Sequence, residues 1–255
     1  MTSLSGAPNF RAVAPLPTHD GRHLRPDTLY RSGVLAHLTE ADLAVVETLS
    51  VKLICDLRSS AERHRFPSRW PGLAPARTIV MPGTTDREAG MQPLIDRLAR
   101  EPGPEGAYRA MLDLYAALPR LLAPVLSDTT EAIISGWGIP LLVHCHVGKD
   151  RTGVTVALLL AALGIERDAI VADYLETANR IDIEAETKHV ARTLGNLLGR
   201  AIDPGTLDCL GRADPAYIEA MFTAVDRQWG GVMAYFEALG LTASGRERLQ
   251  ARLLA

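Results

Sequence analysis

The segment His144-Cys-His-Val-Gly-Lys-Asp-Arg-Thr-Gly153 gathers a thiol, a guanidinium, a carboxyl group, an ammonium and two imidazoles in one short run. Cys145 and Arg151 are its chemical poles. If a buried strand ends at His144 and a buried helix begins near Thr152, the loop between them turns successive backbone N–H groups into one concavity. The first helical turn adds its unpaired N–H groups and the positive end of its dipole. The backbone of His146, Val147, Gly148, Lys149, Asp150 and Arg151 would then form an anion cradle with Cys145 at its floor. The field that holds a phosphate also stabilises a thiolate, the nucleophilic form of cysteine. The planar fork of Arg151 can take two oxygens of a phosphate through an in-line displacement, which a lysine cannot do bidentately. Gly148 permits a close approach or a positive φ. Thr152 is placed to hydrogen-bond the thiolate, and Gly153 to let the helix pack behind the loop. His144 is expected to orient the loop by hydrogen bonds, and His146 to sit at its rim. His144, Cys145 and His146 alternate sides along an extended segment and cannot converge on one ion, so neither metal nor cofactor is expected.

Elements of the right kind stand on both sides of the loop. Pro140-Leu-Leu-Val-His144 reads as a buried parallel strand and Thr152 to Leu163 as a nearly all-apolar central helix. Earlier, Thr39-Glu-Ala-Asp42 opens an amphipathic run to Leu49 with Thr39 placed as its cap. Strands follow at Lys52–Leu57 and Arg77–Met81. The connection from Met81 to Gly106 is rich in glycine and proline, as functional loops often are. Ala107 to Ser135 is helical in pattern, with Pro119 and Pro124 as starts or kinks. From Gly164 to Ala255 the pattern is mostly helical, broken near 195–205, 211–215, 230–231 and 240. Strands alternating with helices, then helices alone, predict one α/β domain over 1–255. A central, mainly parallel sheet of four or five strands is flanked by helices, with a helical carboxy-terminal region. The turn-rich first thirty residues read as an arm running over that domain's surface.

Composition bounds the partners. The 255 residues carry 27 Lys+Arg against 30 Asp+Glu, a formal charge of −3, so no global basic field draws nucleic acid or anionic lipid. The 3 cysteines, Cys55, Cys145 and Cys209, are too few for a disulfide framework or a four-cysteine zinc site. Cys55, inside an apolar strand, is a core residue or a resolving thiol for Cys145. The amino terminus shows no secretory pattern, and the apolar run Val154–Ile165 falls short of the ~20 residues of a membrane span. The expectation is a cytoplasmic protein without an integral membrane segment. Its oligomeric state is left open.

Cys145 and Arg151, with five residues between them, lie in a segment that resembles the signature loop of the protein tyrosine phosphatase superfamily. In the form His-Cys-x-x-Gly-Lys-Asp-Arg-Thr-Gly it is similar to a bacterial branch of that superfamily. Asn9-Phe-Arg11, Leu29-Tyr-Arg-Ser-Gly33, Asp56-Leu-Arg-Ser59 with Glu62, and Val171-Ala-Asp-Tyr-Leu175 resemble that branch's landmarks in the same order, spanning roughly residues 9 to 240. The resemblance implies a cysteine-dependent phosphatase working through a cysteinyl phosphate on phosphotyrosine, with dual specificity open. It implies phosphorylated protein or phosphoinositide as substrate. Asp150 matches the branch's general acid, and a carboxyl group at the cradle's rim can protonate a leaving oxygen. The rival acid is Asp86, in the long loop where other members of the superfamily carry theirs. Lys149 is associated in this branch with phosphoinositide acceptance; the alternative is a solvated lysine attracting dianions generally.

Two departures from the branch's pattern stand out. Ala12 follows Asn9-Phe-Arg11 where the branch often has Asp, which puts a carboxylate partner for Arg11 in doubt. Thr177-Ala178 replaces the branch's Ser/Thr-Asn after Asp-Tyr-Leu, which touches the pocket wall. Asp56 and Arg58 are read as an internal pair bracing the loop. The stretch 185–211 is a lid over the pocket or ordinary surface helices. Rival readings are a phosphoinositide phosphatase, a silent phosphate-binding module and a rhodanese-type sulfurtransferase. The Arg151-Thr152 pair and the five-residue spacing favour phosphate over the last of these.

Overall fold

The computed structural model describes residues 4–70, 76–82 and 92–255. Its elements run β1 (Arg11–Ala12), β2 (Leu29–Ser32), α1 (Glu40–Thr48), β3 (Leu53–Asp56), α2 (Ser60–Arg65), β4 (Arg77–Val80), α3 (Gln92–Arg100), α4 (Pro104–Ile134), β5 (Leu141–His144) and α5 (Asp150–Leu163). Only helices follow: α6 (Arg167–Leu175), a 3-10 turn (Glu176–Asn179), α7 (Ile183–Leu198), α8 (Pro204–Gly211), α9 (Pro215–Trp229), α10 (Val232–Ala238) and α11 (Ala243–Leu253). The strands form one five-stranded sheet in the order β1-β2-β5-β3-β4, parallel except for the β1–β2 pair. The expected α/β class with its helical carboxy-terminal region is therefore present, and β5 lies at the sheet's centre.

Register explains why chemistry collects at one spot. His144, the last residue of β5, pairs with Ser32 at the end of β2 and with Asp56 at the end of β3. Cys145 thus leaves the sheet between two neighbouring strand ends, the crevice where open α/β sheets place their ligand sites. Behind it, α5 is buried along most of its length, including Val154, Val156, Leu158, Leu159 and Leu160. The larger core lies on that side, formed with α4 and α9; a smaller one under α1 gathers Phe10, Tyr30, Leu35, Ile54 and Leu142. The Thr39–Asp42 capping box that starts α1 is formed in both directions.

Two expectations change. The arm expected over the first thirty residues divides in two: from Leu4 to Val13 it packs inward, with β1 joining the sheet, Leu4, Ala7, Phe10 and Val13 buried and Phe10 stacked on Tyr30, whereas 14–28 runs over the surface apart from the buried Thr18 and Leu24. Prolines there set turns, but the apolar residues between them decide burial. The helix over 107–135 is one element, α4, started by Pro104 at its first turn and running through Pro119 and Pro124. Each proline removes one helical hydrogen bond, yet Tyr115, Leu118, Leu122, Val125 and Leu126 keep the helix seated in the core. Among the described residues it is α4, rather than Val154–Ile165, that is long and apolar enough to cross a membrane; its apolar side is taken up by that core.

Candidate active site

Cys145 is 2% exposed, and the Gly148 N–H donates to its Sγ at 3.2 Å. Gly148 has φ +79°, and a Cβ there would meet Ser32 C and O at 2.6 Å, so the loop lies against the end of β2 where only glycine fits. A Cβ on Gly153 would come within 3.0 Å of the Tyr174 ring, which brings α5 close to α6. His144 is fully buried, with Nδ1 3.4 Å from Cys145 O and Nε2 3.6 Å from Asp56 Oδ2. Burial lowers its pKa to about 4 despite Asp56, so the ring is neutral at pH 7. His146 and Val147 are half-buried in the loop, and the His146 ring packs on Phe66 at 5.2 Å between centroids.

Arg151 is held from the β3 side. Its Nη1 and Nη2 donate to Glu62 Oε2 and Oε1 at 2.6 and 2.7 Å, and Nη1 also donates to Leu57 O at 3.0 Å. Of five N–H donors, those three are taken. Among the described residues no acceptor meets Nε–H or the second Nη2–H, an adjacent pair matched to two phosphate oxygens. Glu62 also accepts from Ser59 N at 2.7 Å in the capping box that starts α2, so one turn of helix aims it. Burial opposes its charge, but the Arg151 hydrogen bonds win and its pKa falls to about 2. Glu62 was visible only as a landmark; its Ser-x-x-Glu spacing is the signal that points to its aim.

Asp56 and Arg58 form a buried bidentate pair, with Nε to Oδ1 at 2.8 Å and Nη2 to Oδ2 at 2.6 Å. Arg58 then reaches Phe66 O and Ser68 Oγ, tying the segment after α2 to the end of β3. Burial opposes the Asp56 charge and the Arg58 hydrogen bonds outweigh it, leaving its pKa below the usual range.

Asp150, at the first turn of α5, has a 27% exposed side chain. Tyr115 donates to its Oδ1 at 2.8 Å, and Tyr174 OH lies 2.7 Å from Tyr115 OH. Tyr174 belongs to the Asp-Tyr-Leu landmark, but nothing in the sequence marks Tyr115, because a tyrosine among the apolar positions of a helix looks like core. Burial, then the Asp150 charge, push the Tyr115 hydroxyl well above the usual value, so it stays a donor. Asp86 lies outside the described residues.

Lys149 is not a solvated lysine. It is 2% exposed, its Nζ donates to Leu210 O at 2.6 Å and Arg212 O at 3.2 Å, and it stands 3.4 Å from Asp150 Oδ1. Two carbonyls at the end of α8 out-compete water for the ammonium. The stretch 185–211 therefore touches the loop through α8. Thr152 makes no hydrogen bond to the thiolate: α5 starts at Asp150, so Thr152 is already inside the helix, its Oγ1 buried without a partner among the described residues. Arg11 does find a carboxylate. Asp173 supplies it at 3.5 Å from the Asp-Tyr-Leu segment, replacing the one missing at Ala12. Arg11 also reaches Thr177 Oγ1 at 3.5 Å. Cys55 is buried beneath Thr129, and burial raises its pKa to about 12, which makes it inert core rather than a resolving thiol. Cys209 is buried as well. No group of three His, Cys, Asp or Glu among the described residues is arranged to hold a metal ion.

This arrangement puts the Cys145 thiol, the open edge of the Arg151 guanidinium and the Asp150 carboxyl group on one short stretch, the loop after β5 and the first turn of α5. The chain matches the tyrosine phosphatase family over residues 2–255. It is 31% identical over 283 aligned residues to the triple specificity protein phosphatase PtpB of Mycobacterium tuberculosis, covering 98% of each chain. It is 33% identical over 232 residues to a protein of Cupriavidus necator named as a tyrosine-protein phosphatase, covering 89% of this chain and 79% of that one. Among solved structures, P. aeruginosa TpbA aligns over 74% of this chain and 89% of its own, at 19% identity and a TM-score of 0.32. By its full-length family match and its relatives, the chain belongs to the tyrosine phosphatase family.

Proposed function

We propose that Cys145, Arg151 and Asp150 make this protein a cysteine-dependent phosphatase that hydrolyses phosphotyrosine in proteins. The observation that carries this is the open Nε–Nη2 edge of Arg151 beside the thiol of Cys145. The sulfur attacks phosphorus in line while the backbone cradle and Arg151 hold the equatorial oxygens. The ester oxygen leaves with a proton from Asp150, and Asp150 then takes a proton from the water that cleaves the cysteinyl phosphate. Oδ1 of Asp150 is occupied by Tyr115 and faces Lys149, whereas no donor among the described residues reaches Oδ2. Oδ2 carries the travelling proton. The phosphoinositide reading leaned on a rim cation, and the Lys149 ammonium is occupied by carbonyls, so no observation favours that reading.

The test is phosphate release from phosphotyrosine peptide, phosphothreonine peptide and phosphoinositide, with chelator present. Phosphotyrosine turnover blocked by micromolar vanadate and by low peroxide is the expected result. Cys145→Ser should fold, bind phosphate and turn nothing over; residual activity within tenfold of wild type would end the covalent mechanism. Loss of activity on chelation would replace it with metal hydrolysis.

A further inference from the structure

Three segments far apart in sequence converge on the back of the signature loop. Gly148 O accepts from Asn9 Nδ2 at 2.8 Å and from Arg31 Nη2 at 3.0 Å. One peptide carbonyl thus has two buried donors, one of them charged. The donors are held in turn. Arg31, 0% exposed, pairs through Nη1 with Asp173 Oδ2 at 2.6 Å. Asn9 Oδ1 accepts from Arg11 Nη1, and Arg11 Nη2 donates to Asp173 O at 2.8 Å. Asn9 sits at φ +60°, a left-handed conformation that asparagine tolerates better than most residues. Two positions earlier in the loop, His146 O accepts from Val34 N at 2.7 Å, also from the β2 side.

In a trans peptide the N–H points opposite to the C=O. Fixing the carbonyls of His146 and Gly148 from the β2 side therefore turns the N–H groups of Val147 and Lys149 to the other side. Among the described residues neither N–H has a protein acceptor. The N–H between them, that of Gly148, aims at Cys145 Sγ. We propose that Asn9 and Arg31 are positioning residues for phosphate: by anchoring Gly148 O they aim the Lys149 N–H into the cradle, and the Arg31 charge polarises that peptide as a donor. The inference rests on the phosphatase reading, because the aimed N–H has work to do only if an oxyanion sits before Cys145.

The decisive readout separates anion recognition from folding. Iodoacetate, an anion, and iodoacetamide, a neutral reagent of similar size, both alkylate Cys145, and the ratio of their rates measures how well the cradle attracts an anion. Asn9→Asp keeps the shape and the acceptor for Arg11 but removes the donor to Gly148 O. Asn9→Gly also removes it and accommodates the positive φ. Both variants should lower the iodoacetate-to-iodoacetamide ratio about tenfold, the loss expected for ~1.4 kcal/mol of anion binding. They should raise the inhibition constant of inorganic phosphate by a similar factor, with KM moving more than kcat. If both variants keep the wild-type ratio and phosphate constant, even with a lower melting temperature, the network serves only the fold and the inference is overturned. A wild-type protein that releases no phosphate from any substrate overturns the phosphatase reading, and this inference with it.

Discussion

The two strand ends beside Cys145 support the loop in different ways. On the β3 flank the partners are side chains close in sequence: Asp56 with Arg58, and Glu62 aimed by its own capping box at the Arg151 guanidinium. On the β2 flank they come from Asn9 and from the end of β2, Arg31 and Val34, with Asp173 behind them, and what they hold is backbone, the carbonyls of His146 and Gly148. One flank sets the orientation of a single side chain, that of Arg151. The other sets the direction of peptide groups. A phosphatase needs both, since the guanidinium follows charge developing during transfer while the peptide N–H groups hold the anion before and after it. The difference predicts that damage on the β3 flank appears chiefly in kcat, and damage on the β2 flank in anion affinity.

The largest expected effect short of removing the thiol belongs to neither flank, and so calibrates both. Asp150→Asn should slow phosphotyrosine hydrolysis by about 10²–10⁴-fold and matter much less for an activated aryl phosphate, whose anion leaves unprotonated. The basic limb of the kcat profile should flatten and the acidic limb remain. A large leaving-group-dependent loss at Asp86→Asn with a small one at Asp150→Asn would move the acid to the long loop. Next comes Arg151→Lys, which keeps the charge but loses the fork; kcat should fall about 10²–10³-fold. Glu62→Gln sharpens the comparison, because the capping geometry can survive while the clasp loses its charge. A fall of about 10–100-fold in kcat is expected, with the phosphate inhibition constant nearly unchanged. A Glu62→Gln enzyme that lost phosphate affinity as badly as Asn9→Asp would erase the distinction between flanks.

Tyr115→Phe removes one hydrogen bond to Asp150 Oδ1, and a fall of about three- to tenfold on phosphotyrosine with little on the activated ester is expected. Equal losses on both substrates would mean general disturbance of the site. The smallest effect is on stability and comes from the end of β5, beside Asp56 of the β3 flank. His144 has its folded pKa lowered from 6.5 to about 4, so between those values the unfolded chain binds the proton and the folded one does not. Stability should fall as pH drops from 6.5 towards 4, by at most about 1.4 kcal/mol per pH unit. Glu62, lowered from 4.5 to about 2, adds a further loss as pH drops through that lower window. Thermal melts from pH 7 to pH 4 should show the decline, and a flat melting temperature across that range would mean His144 is not held neutral.

The contrast between the flanks also explains what was legible before the fold was known. Cys145, Arg151, Asp150 and Gly148 sit in one continuous motif, and the Asp56–Arg58 pair spans two residues, so spacing alone placed them together. Asn9, Arg31 and Asp173 could be marked as landmarks, but nothing local said that they met. Lys149 shows the limit most plainly. Its place in the motif suggested a cation at the rim, while its actual partners are Leu210 O and Arg212 O, about sixty residues away.

By itself the sequence determined the strand–loop–helix unit and the places of Cys145 and Arg151 in it, because those depend on apolar periodicity and on neighbours along the chain. It also determined the α/β class, through strands that alternate with helices and then stop. The tertiary structure alone decided that the stretch from Leu4 to Val13 packs inward and that Asp173 replaces the carboxylate missing beside Arg11. It alone decided that Tyr115 holds Asp150 and that Lys149 turns to α8. The reason is physical: a buried polar group must find a partner wherever the packed chain offers one, and sequence distance has no bearing on which carbonyl or carboxylate is within reach.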